Sequence, residues 1–105
     1  MRVRPIPADL RLRLRTAVRE ESVVAVVNEF LTAIPVSQLS TLPSGSVPAR
    51  VDGCDDLGYW ALRLAHTDLD YRGSQASADL LREIAQFLAD AANRIARIRE
   101  WNQRR

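Results

Sequence analysis

Apolar residues in the C-terminal third of the chain recur at alternating steps of three and four, the spacing of one stripe on an α-helix. The members of this stripe are Leu81, Ile84, Leu88, Ala91, Ile95 and Ile98. Ser74 precedes the stripe as a candidate N-cap, and several arginines lie near its end, where the helix dipole favours cations. The pattern predicts a helix over residues 74–101, about 40 Å long at roughly 1.5 Å per residue.

A second apolar pattern, over residues 59–65, has the period of a β-strand. Trp60, Leu62 and Leu64 alternate with the intervening side chains, so an extended chain would place all three on one face. Because a single strand is not stable alone, it needs a neighbour, for which residues 47–51, the N-terminal segment and another subunit are the candidates. The alternation therefore predicts a small sheet of two or three strands.

The N-terminal third fits two structures. Residues 10–15 alternate leucine with arginine, which is the period of a half-buried strand, yet Leu10 and Leu14 also begin a helical stripe. Pro7, just upstream, suits the first turn of a helix and favours the helical interpretation. A β-hairpin over residues 10–27 is the alternative that the pattern leaves open.

The next periodic block ends at Pro35, which cannot continue a helix. Val23, Val27 and Phe30 share one helical face. Ser22 precedes them as a candidate N-cap. The block predicts a second helix, packed through its valine-rich face.

The connection over residues 35–58 is rich in proline, glycine, serine and threonine and is predicted to be irregular. The chain then divides into a basic N-terminal segment (1–34), this connection, and a strand followed by a long helix (59–105). We expect one domain over residues 1–105 of the α+β class. It would be dominated by helices, with a two- or three-stranded sheet and the long C-terminal helix as its spine.

Composition limits the class of protein. The chain has 105 residues, the size of one domain, and 47% of them are hydrophobic, which is ordinary for a folded protein. No apolar run is long enough to span a membrane, and the N-terminus lacks the apolar core of a signal peptide. Cys54 is the single cysteine and therefore excludes an internal disulfide. These features predict a cytoplasmic protein that is not bound to a membrane.

Charge is distributed unevenly along the chain, and all fifteen cationic residues are arginine. Residues 1–19 hold six arginines and one acid, a net charge of +5, and residues 94–105 hold five arginines and one acid, a net charge of +4. The acidic middle, residues 20–93, carries four arginines and eleven acids, a net charge of −7. Such polarity favours either a polyanionic partner for the two ends or charge-complementary self-association.

The N-terminal third has a short arginine-bearing segment, an x-Pro-x-x-Leu step over residues 6–10, and a helix opened by Ser22. This order resembles the ribbon-helix-helix family of DNA-binding proteins. The resemblance implies that two chains pair their short strands and insert the ribbon into the DNA major groove. Arg2 and Arg4 would then face the groove, and Ser22 would hold phosphate. Arg11 is grouped with them as a predicted nucleic-acid contact.

The long helix offers a second candidate interface, because it is longer than the rest of so short a chain is expected to cover. Its surplus apolar surface predicts a homodimer or a protein partner. The residues assigned to that interface are Leu88, Ile95, Ile98 and Trp101. The arginines that trail this helix are further candidates for contact with nucleic acid.

Few other residues are candidates for metal binding or catalysis. Acidic side chains gather between residues 52 and 70, and on an extended chain His66, Asp68 and Asp70 would share one face. Such groups can ligate a divalent cation, but no recognised metal spacing is met, so no metal site is assigned and cation binding is left open. No nucleophile lies in a recognisable catalytic pattern. We therefore expect a protein that is not an enzyme and has no cofactor.

Together these patterns favour a small DNA-binding regulator of the antitoxin or repressor type. It would act as a homodimer and bind DNA through its arginine-rich N-terminal segment. The alternative is a non-catalytic protein–protein interaction factor, such as a phage or mobile-element accessory factor or an assembly subunit. In that case the basic ends would dock on acidic protein surfaces.

Overall fold

A computed structural model describes residues 8–104 of the chain, and every regular element within that range is an α-helix. The five helices are α1 (Ala8–Thr16), α2 (Glu20–Ala33), α3 (Val36–Leu39), α4 (Cys54–Asp70) and α5 (Gln75–Gln103). The expected α+β class is wrong, because 75% of the described residues are helical and they form no sheet.

The segment predicted to be the central strand, residues 59–65, lies inside α4. Its buried positions are Leu57, Ala61 and Leu64, spaced by four and three as on one side of a helix. Leu62 would share a face with Leu64 in a strand but is exposed in the helix. The prediction of a strand was wrong because apolar side chains occupy both the buried and the exposed face of α4. Along the sequence, the two sets together recur at every second position, as in a strand.

Helices α4 and α5 form a hairpin that is the main structural unit of the domain. Only four residues, 71–74, connect them, so the two helices run antiparallel and pack along their length. A Cβ at Gly73 would lie 1.9 Å from the phenolic oxygen of Tyr71, so a larger residue in this turn would require the Tyr71 ring to move. Ser74 caps α5 as predicted: its hydroxyl accepts a hydrogen bond from the Ser77 N–H at 3.2 Å.

Helix α5 confirms the prediction of a long C-terminal helix. With 29 residues it spans about 43 Å, close to the 47 Å long axis of the molecule. Its largest buried side chains are Leu80, Leu81, Ile84, Phe87, Leu88, Ile95 and Ile98. Phe87 stacks on Phe30 of α2, with ring centroids 4.2 Å apart and ring planes inclined by 25°. This aromatic pair joins the N-terminal helices to the α4–α5 hairpin.

Both N-terminal segments are helices, which answers the question left open for residues 10–27. Helix α1 buries Leu10 and Leu14, while Leu12 between them is exposed. The prediction that Ser22 caps α2 is wrong, because α2 begins at Glu20 with Arg19 in the N-cap position and no side-chain cap. Two glutamates open the helix, and their negative charge is favourable beside the helix N-terminus, so the helix starts ahead of the serine.

The connection predicted to be irregular over residues 35–58 is irregular only over residues 40–53, because α3 and the start of α4 occupy its two ends. Residues 47–51 form no strand. Instead, the Asn28 side chain of α2 makes the hydrogen bonds to the Val51 backbone that a neighbouring strand would have made. Its Nδ2 donates to the Val51 carbonyl at 3.0 Å, and its Oδ1 accepts from the Val51 N–H at 2.8 Å. Val51 is fully buried, so this amide satisfies two backbone groups that water cannot reach.

Candidate nucleic-acid interface

A cleft lies between α1 and the central part of α5, residues 87–97, and arginines form its walls. It has a volume of about 410 Å³. Its lining consists of Arg11, Leu14, Arg15, Phe87, Asp90, Asn93, Arg94 and Arg97. Four cations against one carboxylate give this lining a net charge of +3. We refer to these eight residues as the arginine cleft.

Helical spacing explains why these side chains meet. Arg11 and Arg15 are four positions apart on α1, and Arg94 and Arg97 are three apart on α5, so each pair lies on one helix face. Leu14 lies between the α1 pair and is buried together with Phe87. The burial of Leu14, which anchors α1 on the core, therefore also brings the two arginine pairs to opposite sides of the cleft.

Arg94 is the most firmly held of the four. Its Nε–H donates to the Ala17 carbonyl at 2.8 Å, in a partly buried position. Ala17 directly follows α1, where backbone carbonyls lack a partner within the helix, so this arginine satisfies one of them. The bond also joins the end of α1 to α5, and it uses only one of the five N–H groups of the guanidinium.

The other three cations of the cleft are not neutralised within the described part of the chain. Arg11, Arg15 and Arg97 make no hydrogen bond or ion pair with any residue from 8 to 104, and Asp90 pairs with none of them. Close like charges repel one another, and a bound anion relieves that repulsion. The electrostatics of the cleft therefore favour an anionic ligand.

Three other basic residues of the two ends have carboxylate partners. Arg13 forms a two-bond pair with Glu29 of α2, Arg99 Nε donates to Glu20 Oε1 at 2.5 Å, and Arg104 pairs with Glu100. The Arg13 hydrogen bond holds the pKa of the Glu29 carboxyl below its usual range. Part of the charge polarity in the sequence is thus neutralised inside the monomer, whereas Arg11, Arg15 and Arg97 of the cleft have no carboxylate partner among the described residues.

The predicted nucleic-acid contacts fall in different places. Arg11 lies in the arginine cleft. Arg2 and Arg4 lie outside the described residues, so their predicted role is still a prediction. Ser22 is the third residue of α2 and does not cap it, so the expected phosphate site at a serine-capped helix end is not formed. Arg15 was not singled out from the sequence, because its role depends on α1 packing beside α5.

The predicted partner interface on α5 is corrected in the same way. Leu88, Ile95 and Ile98 are buried in the core of the single chain, where α1, α2 and α4 cover α5. They are not available to a partner without unfolding. Trp101, the fourth residue of that set, is exposed to 55% of its surface. The apolar surface of α5 from Leu88 to Ile98, which the sequence assigned to a partner, is therefore covered within the chain.

The acidic and histidine residues do not converge. Among the described residues, no three histidine, cysteine or carboxylate side chains are placed to hold a metal ion. Asp68 lies 3.9 Å from Arg82, and the Asp56 carboxylate accepts the Asp52 N–H at 2.9 Å, so these carboxylates serve local pairing. Burial, and after it the Glu20 carboxylate, raises the pKa of the Cys54 thiol, which keeps this sulfur protonated at neutral pH and weakly nucleophilic.

No helix in the described part of the chain is long and apolar enough to cross a membrane. Comparisons with known proteins add no relative: no protein-family model, curated protein or solved structure matches this chain.

Proposed function

We propose that this protein is a small DNA-binding regulator that holds the phosphate backbone of duplex DNA in the arginine cleft between α1 and α5. The observation that carries the proposal is the set of three arginines, Arg11, Arg15 and Arg97, that share one cleft and have no carboxylate partner between residues 8 and 104. An arginine guanidinium is planar and can donate two parallel hydrogen bonds to a phosphate.

The location of the cleft on two helices supports a backbone-binding role. Side chains fixed on packed helices have less freedom to lose on binding than those on a loop, and Arg94 ties the two helices together through Ala17. Phosphate contacts fix the position of a protein on DNA but do not read its sequence. The residues proposed to read bases are Arg2 and Arg4, which precede α1 by a few positions along the chain.

Salt dependence of duplex binding tests the proposal. A labelled duplex is titrated with the protein, and fluorescence anisotropy is followed at several salt concentrations. Each phosphate contact contributes about −0.9 to the slope of log K against log [salt]. The double variant Arg15→Ala/Arg97→Ala should therefore lower the magnitude of the slope by about 1.8. It should also weaken binding at low salt by at least about 30-fold, since two hydrogen bonds to charged groups contribute roughly 1 kcal/mol or more each.

A matched control removes the same charge elsewhere. Arg50 and Arg82 are exposed arginines outside the cleft, and each has only a long contact to a carboxylate, at 3.3 and 3.9 Å. The variant Arg50→Ala/Arg82→Ala should keep the slope of the unaltered protein within about 0.5. An equal loss in both double variants would show attraction by net charge alone and would contradict a defined cleft. Absence of duplex binding at low salt would overturn the DNA-binding function altogether.

A further inference from the structure

Asp90 and Asn93 are two polar side chains of the arginine cleft that phosphate binding by itself does not explain. Both lie on α5, and both are exposed. Neither makes a hydrogen bond or an ion pair with another residue between 8 and 104. The carboxylate and the amide are therefore open to a ligand, and their chemistry differs from that of the cations around them.

A carboxylate is unfavourable in a site that binds phosphate alone. Like charges a few ångströms apart repel each other, and Asp90 shares the cleft with the arginines that would hold the DNA backbone. An ionised carboxylate only accepts hydrogen bonds, so Asp90 is favourable when the ligand also presents a donor. In duplex DNA the phosphates have no donor, whereas the amino groups on the base edges do. The lining of the cleft thus fits base edges next to phosphates.

Asn93 has the chemistry that matches a second base. Its amide offers both a donor and an acceptor, the set that pairs with the N6 amino group and N7 of adenine in the major groove. A carboxylate such as that of Asp90 accepts from the N4 amino group of cytosine. Three helical positions rise by about 4.5 Å, close to the roughly 3.4 Å between base pairs. Asp90 and Asn93 therefore suit neighbouring base pairs.

The location of these residues on α5 leaves space for DNA. Asp90, Asn93 and Arg97 are separated by steps of three and four, so they lie on one side of the helix, and all three are exposed. Helix α1 borders this side through Arg11 and Arg15. The major groove, about 12 Å wide, admits one α-helix, so α5 would enter the groove while α1 lies over the flanking phosphates.

We infer that Asp90 and Asn93 read base edges in the major groove of duplex DNA. Arg11, Arg15 and Arg97 then hold the adjoining phosphates. This assignment rests on the proposed function, because it gives sequence recognition to the same cleft. It adds two readers on a packed helix to the N-terminal arginines that are also proposed to read bases. The preferred duplex should contain an adenine and a cytosine at neighbouring positions.

Selection from a pool of duplexes with a randomised centre tests this assignment. The full chain retains part of the pool, and sequencing of the retained duplexes gives the base preference at each position. The unaltered protein should enrich adenine and cytosine at neighbouring positions. Anisotropy titrations then compare the selected duplex with duplexes in which one of these bases is replaced. Each replacement should weaken binding by about 5- to 100-fold.

Asn93→Ala should remove the preference for adenine at one position and leave the preference for cytosine unchanged. Asn102→Ala is the matched control, since Asn102 is an exposed asparagine on the same helix. It lies nine positions from Asn93, which is on the opposite side of a helix with roughly 3.6 residues per turn. Its removal should leave the base profile unchanged.

Asp90→Asn gives a result that the loss of a charge alone cannot produce. The preferred base at its position should change from cytosine to adenine, because an amide replaces a group that only accepts. Binding to every duplex should also become a few-fold tighter, because a charge that repels phosphate is removed. Arg15→Ala should instead weaken binding to all sequences about equally and leave the base profile unchanged.

An Asp90→Asn protein that binds every duplex more tightly with an unchanged base profile would overturn the inference. An unchanged profile for Asn93→Ala would do the same, as would a pool in which the unaltered protein enriches no bases at neighbouring positions. In each of these cases a reduced salt slope for Arg15→Ala/Arg97→Ala would still support backbone binding in the cleft. Absence of duplex binding at low salt would overturn both proposals.

Discussion

Helices α1 and α4 contain similar alternations of apolar and other residues, yet they present opposite surfaces. In α1 the positions between the leucines are arginines, so the exposed side carries Arg13 and Arg15 beside Asp9, Leu12 and Thr16. In α4 apolar side chains occupy both sides, so the exposed side carries Tyr59, Leu62 and Leu69. The buried half of each pattern decides how the helix packs. The residues left outside decide what the surface can bind, which is proposed to be a polyanion at α1.

Helices α1 and α4 also differ in the contacts that attach them to the rest of the domain. Helix α4 is anchored by fully buried side chains along its length, such as Leu57 and Leu64. Helix α1 has nine residues and ends in a backbone contact from Arg94, and its exposed side is tied to α2 by the pair of Arg13 and Glu29. Exposed ion pairs contribute little to stability compared with buried apolar surface. We therefore expect α1 to be the less firmly held helix.

The largest expected effect comes from truncating the buried leucines. Leu64→Ala should lower the free energy of unfolding by about 3–4 kcal/mol, because it opens a cavity in the tightly packed α4–α5 contact. Leu14→Ala should cost less, about 2 kcal/mol, because a short helix near the end of the chain can adjust. Urea denaturation followed by circular dichroism measures both.

The exposed Leu62→Ala is the control and should change the free energy of unfolding by less than about 0.5 kcal/mol. Equal losses for Leu64→Ala and Leu14→Ala would contradict the difference proposed between the two helices.

A smaller effect on stability is expected from substitutions of Asn28, which holds the loop before α4. Asn28→Ala should lower the free energy of unfolding by about 2 kcal/mol, because it removes both hydrogen bonds to the buried Val51 backbone. Asn28→Asp keeps an acceptor for the Val51 N–H but cannot donate to its carbonyl, so its loss should have the same sign. Asn93→Ala, at an exposed position on α5, is the control and should be nearly neutral. A neutral Asn28→Ala would show that the loop before α4 is held by burial alone.

The smallest effect concerns the ion pair on α1. The lowered pKa of Glu29 means that its pairing with Arg13 favours the folded state above the ordinary glutamate pKa of about 4.3. This contribution is lost as the pH falls through the folded-state pKa. Glu29→Gln should thus unfold at slightly lower urea than the unaltered protein at pH 7, and the difference should vanish at about pH 3. A difference that persists in acid would have a cause other than the charge of Glu29.

Several elements were predictable from the sequence because their signals are local. The stripe from Leu81 to Ile98 and the cap at Ser74 predicted α5, and Pro35 marked the end of the second helix. The error at α4 came from a local ambiguity. Over seven residues, a helix with apolar side chains on two faces can have the same sequence pattern as a strand in which apolar and other residues alternate. The spacing of Leu57, Ala61 and Leu64, with two aspartates in the first turn, was the signal that favours a helix.

The arginine cleft could be predicted only in part. The excess of arginine at both ends and the candidate contact Arg11 were visible in the sequence, whereas the pairing of Arg13 with Glu29 and of Arg99 with Glu20 was not. Which cations are neutralised depends on contacts between residues that are far apart along the chain. Arg13 and Glu29 are separated by 16 positions, and Glu20 and Arg99 by 79. Periodicity and capping carry no information on such contacts, since they describe neighbours within a few residues.

The sequence alone thus determined the helix-dominated character of the chain, the length of α5 and the accumulation of cations at the two ends. These follow from side-chain spacing and charge, which act over one or two helical turns. The tertiary structure decided that α4 is a helix packed along α5 and that Leu88, Ile95 and Ile98 are covered within the chain. It also decided that four arginines from two distant segments share one cleft. Burial depends on how all the helices pack against one another, and no single segment contains that information.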